Sequence, residues 1–137
     1  MSYETFEHTA DLGLRVRAAD LDALFADAAR GLFSIIIANL ASVRPAESVQ
    51  IEIAGDAPEL LLFDWLNELL YLYEVRRLLL GRFEVSVGET GLKATAYGEP
   101  IDPTRHVLDH EVKAITYHGL KVERQDGGWL AEVIVDI

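Results

Sequence analysis

The 137-residue chain contains no cysteine. Disulfides, thiolate metal sites and cysteine nucleophiles are therefore excluded. No apolar run reaches the roughly 18 residues that cross a bilayer. The opening "MSYETFEHTAD" has neither the basic nor the apolar region of an export signal. We predict a cytoplasmic protein that does not associate with membranes.

Positive charge is also scarce, because 12 Lys and Arg residues stand against 23 Asp and Glu, a net charge of −11. Neutralisation of phosphates supplies much of the affinity of proteins for nucleic acid. We therefore expect no strong direct binding to RNA or DNA. An acidic surface suits a basic protein partner or a hard cation, although it would equally keep a domain soluble.

Two common enzyme signatures are missing. "GETG", at residues 88–91, lies between two predicted strands and lacks the lysine of a phosphate-binding loop. The "GxSxG" turn of serine hydrolases does not occur. Neither a phosphate-binding loop nor a hydrolase nucleophile therefore has a candidate in this sequence.

Hydrophobic periodicity predicts two long helices. Asp20 is a suitable N-cap for the first helix, which should fade near Ala41. The second helix should be capped by Asp56, have Pro58 in its first turn and end at Gly81. Its aromatic residues are predicted to fill the core, namely Trp65, Tyr71 and Tyr73.

Alternating apolar residues predict strands near residues 3–7, 12–16, 49–53, 83–87, 92–96 and 111–122, and a C-terminal hairpin across "QDGG". Antiparallel or mixed sheets packed with two main helices form an α+β fold. We found no internal repeat or linker, so we predict a single domain over residues 1–137.

The predicted strand "EVKAITYHGLKV", residues 111–122, carries unusually many polar groups. Strand alternation would place Glu111, Lys113, Ile115 and Tyr117 on one face, and Val112, Ala114, Thr116 and His118 on the other. A purely structural interpretation of Lys113 is a salt bridge with Glu111 on the same face.

His106 and His110 are four residues apart, as zinc ligands on a helix can be. However, "DPTRHVLDH" contains Pro103 and shows no helical face. Polar contacts within a loop are the favoured interpretation of both histidines.

Asp11 and Asp136 are candidates for a cation site. Asp11 follows the first strand, where turn chemistry would also explain it. Asp136 precedes Ile137, whose α-carboxylate would lie beside it. Carboxylates held together repel one another unless a cation or a lysine compensates. Ligands that are all oxygens favour calcium or magnesium over zinc.

Several segments of the chain resemble the archease family, the small activators of the tRNA-splicing RNA ligase. These are "HTADLGLRV" from residue 8, "WLNELLYLYE" from residue 65, "GEPID", "RH" and "HEVKAITYHGLKV" between residues 98 and 122, and the closing "W" and "VIVDI". The resemblance covers almost the whole chain in the family's order.

The resemblance implies an archease fold, a sandwich similar to the Hsp33 chaperone domain. It implies a divalent metal, most readily calcium with magnesium or manganese as substitutes, held by Asp11, Asp136 and the carboxylate of Ile137. It further implies a polar cluster that acts on the partner: His8, Glu111, Lys113, Tyr117 and His118.

The function implied is the activation of an RNA ligase by promoting the guanylylation of the ligase with GTP. Two alternatives remain open at this point. One is a chaperone-like modulator of another tRNA-processing enzyme, such as a tRNA methyltransferase. The other is a small metal-dependent hydrolase that uses Asp11 and Asp136.

Overall fold

The structure is a computed structural model that describes residues 2–8 and 11–137, and only the backbone of His8. Its first sheet contains β1 (Tyr3–His8), β2 (Asp11–Ala18), β6 (Ala114–Ile115), β7 (Lys121–Gln125) and β8 (Gly128–Asp136). These strands run in the order β1-β2-β8-β6, and β7 also pairs with β8. The second sheet has the order β3-β5-β4, formed by β3 (Glu47–Ala54), β4 (Leu78–Gly88) and β5 (Gly91–Pro100).

Two helices, α1 (Leu21–Ile36) and α2 (Pro58–Arg76), each contact both sheets. All strand pairings between the named strands are antiparallel. The predicted α+β class is thus confirmed, and within the described residues no helix is long and apolar enough to span a membrane.

The core lies where the helices meet the inner faces of the sheets. Trp65 of α2 is completely buried, and its indole N–H donates to the carbonyl oxygen of Phe25 at 3.0 Å. Its predicted role in the core is confirmed, and the half-buried Tyr73 also packs against the core. The prediction is wrong for Tyr71, whose exposed fraction is 52%.

The first helix begins as predicted but ends earlier. Asp20 accepts a hydrogen bond from the N–H of Ala23 at 2.8 Å, as an N-cap does. The helix ends at Ile36 rather than near Ala41, because Ile37 is extended and forms a bridge with Leu108. A short 3₁₀ turn, Leu40–Ser42, follows.

The second helix differs from its prediction at both ends. Its N-cap is Ala57, without a side-chain hydrogen bond, so the predicted Asp56 cap is wrong. The helix ends at Arg76, because Arg77 adopts a left-handed conformation (φ 56°, ψ 38°) that turns the chain. Residues 78–80, predicted as helix up to Gly81, are the buried start of β4.

The long strand predicted over residues 111–122 is also wrong. Only Ala114 and Ile115 pair with β8 in this region, before β7 begins at Lys121. Val112 and Ile115 are both buried, although strict alternation would place them on opposite faces. The polar residues of this segment therefore lie in loops on either side of β6. The hairpin across "QDGG" is confirmed as the connection of β7 to β8.

Gly98 lies in β5, between the two outer strands of the second sheet. A Cβ at this position would lie 1.8 Å from the carbonyl oxygen of Leu79, beside the register shift between Leu80 and Arg82. Backbone atoms cannot yield as a flexible side chain can, so only glycine fits here.

We predict that Gly98→Ala lowers the free energy of unfolding by about 2 kcal/mol or more, because the clash must separate β4 from β5. Urea denaturation monitored by circular dichroism measures the change. Gly55→Ala is the matched control, since its Cβ would meet only Leu61 Cδ1 at 3.5 Å. Equal stability of the Gly98→Ala and Gly55→Ala proteins would contradict the packing described.

Candidate metal and partner site

The antiparallel pairing of β2 with β8 places Asp11 directly opposite Asp136. Directly opposed residues point to the same face of a sheet, with Cβ atoms about 5 Å apart. Asp136 also lies opposite Ala114 of β6 on its other side. The strand pairing thereby brings together two residues from opposite ends of the sequence.

Lys113 adjoins this pair through the backbone. Its N–H donates to the carbonyl oxygen of Asp136 at 2.7 Å, while its side chain is exposed. Among the described residues neither Lys113 nor Glu111 takes part in an ion pair, so the salt bridge considered above is not formed. Ile137, the third proposed ligand, is half-buried next to Asp136.

The donor atoms that Asp11 and Asp136 bring to this sheet end are oxygens. Asp11 and Asp136 contribute two carboxylates, which suit a hard cation such as calcium or magnesium. Across residues 2–7 and 11–137, no three His, Asp or Glu side chains come together as metal ligands. A cation here would therefore need main-chain or terminal oxygens, or water, to complete its coordination. With such additional oxygens, the carboxylates of Asp11 and Asp136 suit a divalent ion.

A row of ion pairs supports the same face of the sheet. Arg15 of β2 donates through Nε to Glu132 of β8 at 2.5 Å, and Lys121 Nζ lies 3.4 Å from the other oxygen of Glu132. Partial burial opposes ionisation of Glu132, but the hydrogen bond and charge of Arg15 hold its pKa below the ordinary value. Between this row and the aspartates, the Phe6 ring covers Gly13 so closely that a Cβ there would force the ring to move.

The polar cluster implied by the resemblance is only partly assembled. Tyr117 stacks on Phe63 of α2, with ring centroids 4.0 Å apart. The backbone N–H of His118 donates to Thr116 Oγ1 at 3.3 Å, and its ring is exposed. The backbone of His8 pairs with Asp11. The side chain of His8 and residues Thr9 and Ala10 of "HTAD" lie outside the described residues.

Glu111 and Lys113 line an open groove of about 570 Å³ beside the C-terminal end of α2. Its opposite wall includes Tyr73, Glu74 and Arg77. The Arg77 guanidinium lies over the Tyr73 ring, 5.6 Å from its centroid. This groove lies between the end of α2 and the loop that leads to Lys113 and β6.

Sequence reasoning missed a buried network centred on Glu99 and His106. The carboxylate of Glu99 accepts hydrogen bonds from Arg105 Nη2 at 2.5 Å and from the backbone N–H of Arg44 at 2.8 Å. The fully buried His106 ring accepts from the N–H of Asp102 through Nδ1 at 2.9 Å. Its proton is therefore on Nε2, which donates to Glu99 at 3.0 Å.

This network excludes His106 as a zinc ligand, because both of its ring nitrogens are already bonded. The predicted loop contacts are confirmed for His106, whereas His110 is exposed, with Nδ1 3.6 Å from Asp109 Oδ1. No signal in the sequence indicated the network, because the burial of Glu99 and His106 is visible only in the folded chain.

The network anchors the loop that carries Glu111 and Lys113. From that anchor the chain runs over the end of α1, where the N–H groups of Asp109 and His110 donate to the carbonyl oxygens of Ile36 and Ile35 at 2.8 and 3.0 Å. Asn39 binds the same loop through the carbonyl of Arg105 and the N–H of Val107, both at 2.9 Å. The loop is thus fixed by backbone bonds on the way to Lys113.

Comparisons with known proteins show the family of the chain. The model of the Archease protein family (MTH1598/TM1083) matches residues 3–137. A protein archease of Methanopyrus kandleri is 45% identical over 141 residues, covering 100% of both chains, and one of Pyrococcus furiosus is 41% identical over 98% of both.

Among solved structures, the solution structure of Methanobacterium thermoautotrophicum protein 1598 has 34% identity and a TM-score of 0.88, covering 98% of each chain. The crystal structure of an archease, described as a possible chaperone, from Thermotoga maritima shares the fold with a TM-score of 0.65 and 21% identity, over 100% of this chain and 98% of that one. The chain belongs to the archease family.

The pH dependence of stability should reveal the Glu99 network. Burial would raise the pKa of Glu99, but the hydrogen bonds from Arg44, Arg105 and His106 lower it from 4.5 to about 2. The ionised carboxylate therefore adds stability above about pH 4.5, which is lost as the pH falls towards about 2.

We expect Glu99→Gln to lower the free energy of unfolding at pH 7 by about 2 kcal/mol and to flatten its dependence on pH between 4.5 and 2. Urea titrations across this pH range measure both effects. The exposed Glu84→Gln should change stability by less than about 0.5 kcal/mol. If the free energy of unfolding of Glu99→Gln still fell between pH 4.5 and 2 as that of the wild type does, the network would not stabilise the fold.

Proposed function

We propose that this chain is a non-catalytic activator of a tRNA-splicing RNA ligase in the cytoplasm. It would promote the GTP- and metal-dependent guanylylation of the ligase and so permit repeated turnover in tRNA splicing and RNA repair. Membership of the archease family supports this proposal. The observation that carries it is the facing pair of Asp11 and Asp136, next to an exposed lysine.

In this proposal Asp11 and Asp136 hold a divalent cation, most readily calcium, with the carboxylate of Ile137 as the third ligand. A bound divalent ion would supply positive charge that can stabilise phosphate oxygens. The strand pairing holds both aspartates at the same end of the sheet, so little ordering would be needed on binding. Magnesium or manganese would be accepted less readily, because magnesium requires stricter octahedral geometry.

Lys113 would supply a second positive charge directed at the partner. Its backbone is fixed to Asp136, while its ammonium is exposed and unpaired among the described residues. Glu111, Tyr117, His118 and His8 would form the rest of the surface that meets the ligase.

The composition supports an accessory role. The sequence has no cysteine and a net charge of −11, which disfavours both a thiol nucleophile and direct tRNA binding. A chaperone-like modulator of another tRNA-processing enzyme, such as a methyltransferase, is the competing function. Guanylylation of the ligase with and without this protein distinguishes the two, because a general modulator would not change that step.

Asp11→Asn and Asp136→Asn should each weaken divalent-ion binding about tenfold or more, since affinity for a hard cation follows the charge of its ligands. Each should also reduce guanylylation of the cognate ligase. An extra residue after Ile137, which turns its carboxylate into an amide, should have the same effect. Calorimetric titration with calcium, together with the guanylylation assay, measures both quantities.

Asp126→Asn is the matched control, because it makes the same chemical change in the β7–β8 turn. Asp126 has φ 47°, a left-handed conformation that asparagine tolerates well. The proposed site is wrong if all three altered proteins bind calcium and activate the ligase as the control does.

Lys113→Ala should leave the melting temperature within about 2 °C of the wild type, because the side chain is exposed. It should nevertheless lower guanylylation of the ligase about tenfold, since a charge aimed at the partner is lost. Calcium affinity measured in parallel should not fall. A stability loss with normal activation per folded molecule would instead assign Lys113 a structural role.

A further inference from the structure

The solvent-facing side of α2 is unusually apolar for an exposed surface. Leu60, Tyr71 and Val75 have exposed fractions of 53%, 52% and 60%. Phe63, Asn67, Tyr71 and Val75 follow one another at intervals of four residues, so they form one row along the helix. Apart from Asn67 this row is apolar, and exposed apolar side chains grouped in this way are typical of interaction sites.

Tyr117 extends this row beyond the helix. Its ring stacks on Phe63 at 4.0 Å, yet 60% of the residue remains exposed. Tyr117 follows β6, whose Ala114 pairs with Asp136. The apolar row therefore continues from the middle of α2 to the loop beside the candidate metal site.

Carboxylates run parallel to the apolar row. Asp64 and Glu68 lie on the adjacent row that begins at Leu60. Together with Glu52 and Ile53 of β3 they line a groove of about 410 Å³, with Tyr71 and Asn67 on its wall. None of these three carboxylates takes part in an ion pair with any residue in the described ranges.

We propose that the α2 surface, defined by Leu60, Asp64, Glu68, Tyr71 and Val75, docks a basic amphipathic segment of the partner protein. Lysine or arginine side chains of that segment would enter the groove and meet Glu52, Asp64 and Glu68. Its apolar side chains would cover Tyr71 and Val75, and aromatic residues such as Tyr71 commonly dominate binding energy.

Charge complementarity favours a basic protein segment as the partner of the α2 surface. A second copy of this acidic chain would bring like charges together, and a nucleic acid would bring phosphates to the carboxylates, each of which is repulsive. A basic protein segment satisfies both the charge and the apolar row. This inference rests on the proposed function, because it takes the ligase as the protein that carries the segment.

The test measures the dissociation constant of the full chain for the cognate ligase at low and high salt. The charge-reversal variant is Asp64→Lys with Glu68→Lys, and the apolar variant is Tyr71→Ala. The matched control is Glu47→Lys with Glu89→Lys, which changes the net charge equally at exposed sites in β3 and the β4–β5 turn.

We expect the charge-reversal variant to bind the ligase about tenfold more weakly or worse, with a smaller dependence on salt, since rim charges act over a Debye length. Tyr71→Ala should weaken binding about fivefold or more, and the control should stay within about twofold of wild type. Calcium affinity should be unchanged in all three, which separates docking from the metal site.

Wild-type affinity in both α2 variants, or an equal loss in the control, would overturn the docking surface while leaving the proposed function intact. Absence of any binding by the wild-type chain would overturn both proposals. A wild-type dimer that Tyr71→Ala dissociates would assign the surface to a second copy and also overturn the docking proposal. If the charge-reversal variant does not fold, the Tyr71→Ala result alone decides.

Discussion

β8 pairs with β2, β6 and β7, and the position of the candidate site depends on this one strand. Val133 and Val135 of β8 are buried against the helices, while Glu132 and Asp136 point to the other face. A slip of one residue against β2 would move both valines out of the core and place Asp136 in it. Because an unpaired carboxylate in the core costs several kcal/mol, burial of the valines fixes the register that sets Asp136 opposite Asp11.

A second constraint fixes the loop that leads to β6. The Glu99–His106 network holds its first part, and the end of α1 binds its second part through backbone hydrogen bonds. The loop then reaches Lys113, whose N–H bonds to Asp136. Core packing, a buried polar network and helix capping therefore meet at one sheet end.

Local pattern predicted most strands and both helices, because alternation and capping are properties of short segments. It failed where an apolar run suits either element: residues 78–80 look like the end of α2 but form β4 once Arg77 adopts its left-handed conformation. It failed at residues 111–122, where Val112 and Ile115 are buried by tertiary contacts that break the alternation. The core prediction fails for Tyr71, because the sequence of an apolar helix does not show which of its aromatic residues face solvent.

The aspartate pair was accessible from the sequence, since Asp11 and Asp136 each lie at a strand end and the family resemblance joins them. The Glu99–His106 network was not, because it joins Glu99 of β5 to a following loop whose geometry only the folded chain defines. Similarly, the exposed row on α2 becomes visible only when the buried sides of the helix are known.

The central claim is that Asp11 and Asp136 together hold a divalent cation. A crystal structure of the protein grown with calcium, with anomalous data collected at long wavelength, tests it most directly. We expect an anomalous peak bound to a carboxylate oxygen of both aspartates, at about 2.4 Å from each. A well-ordered site with no peak between them, or calcium bound only elsewhere on the chain, would contradict it.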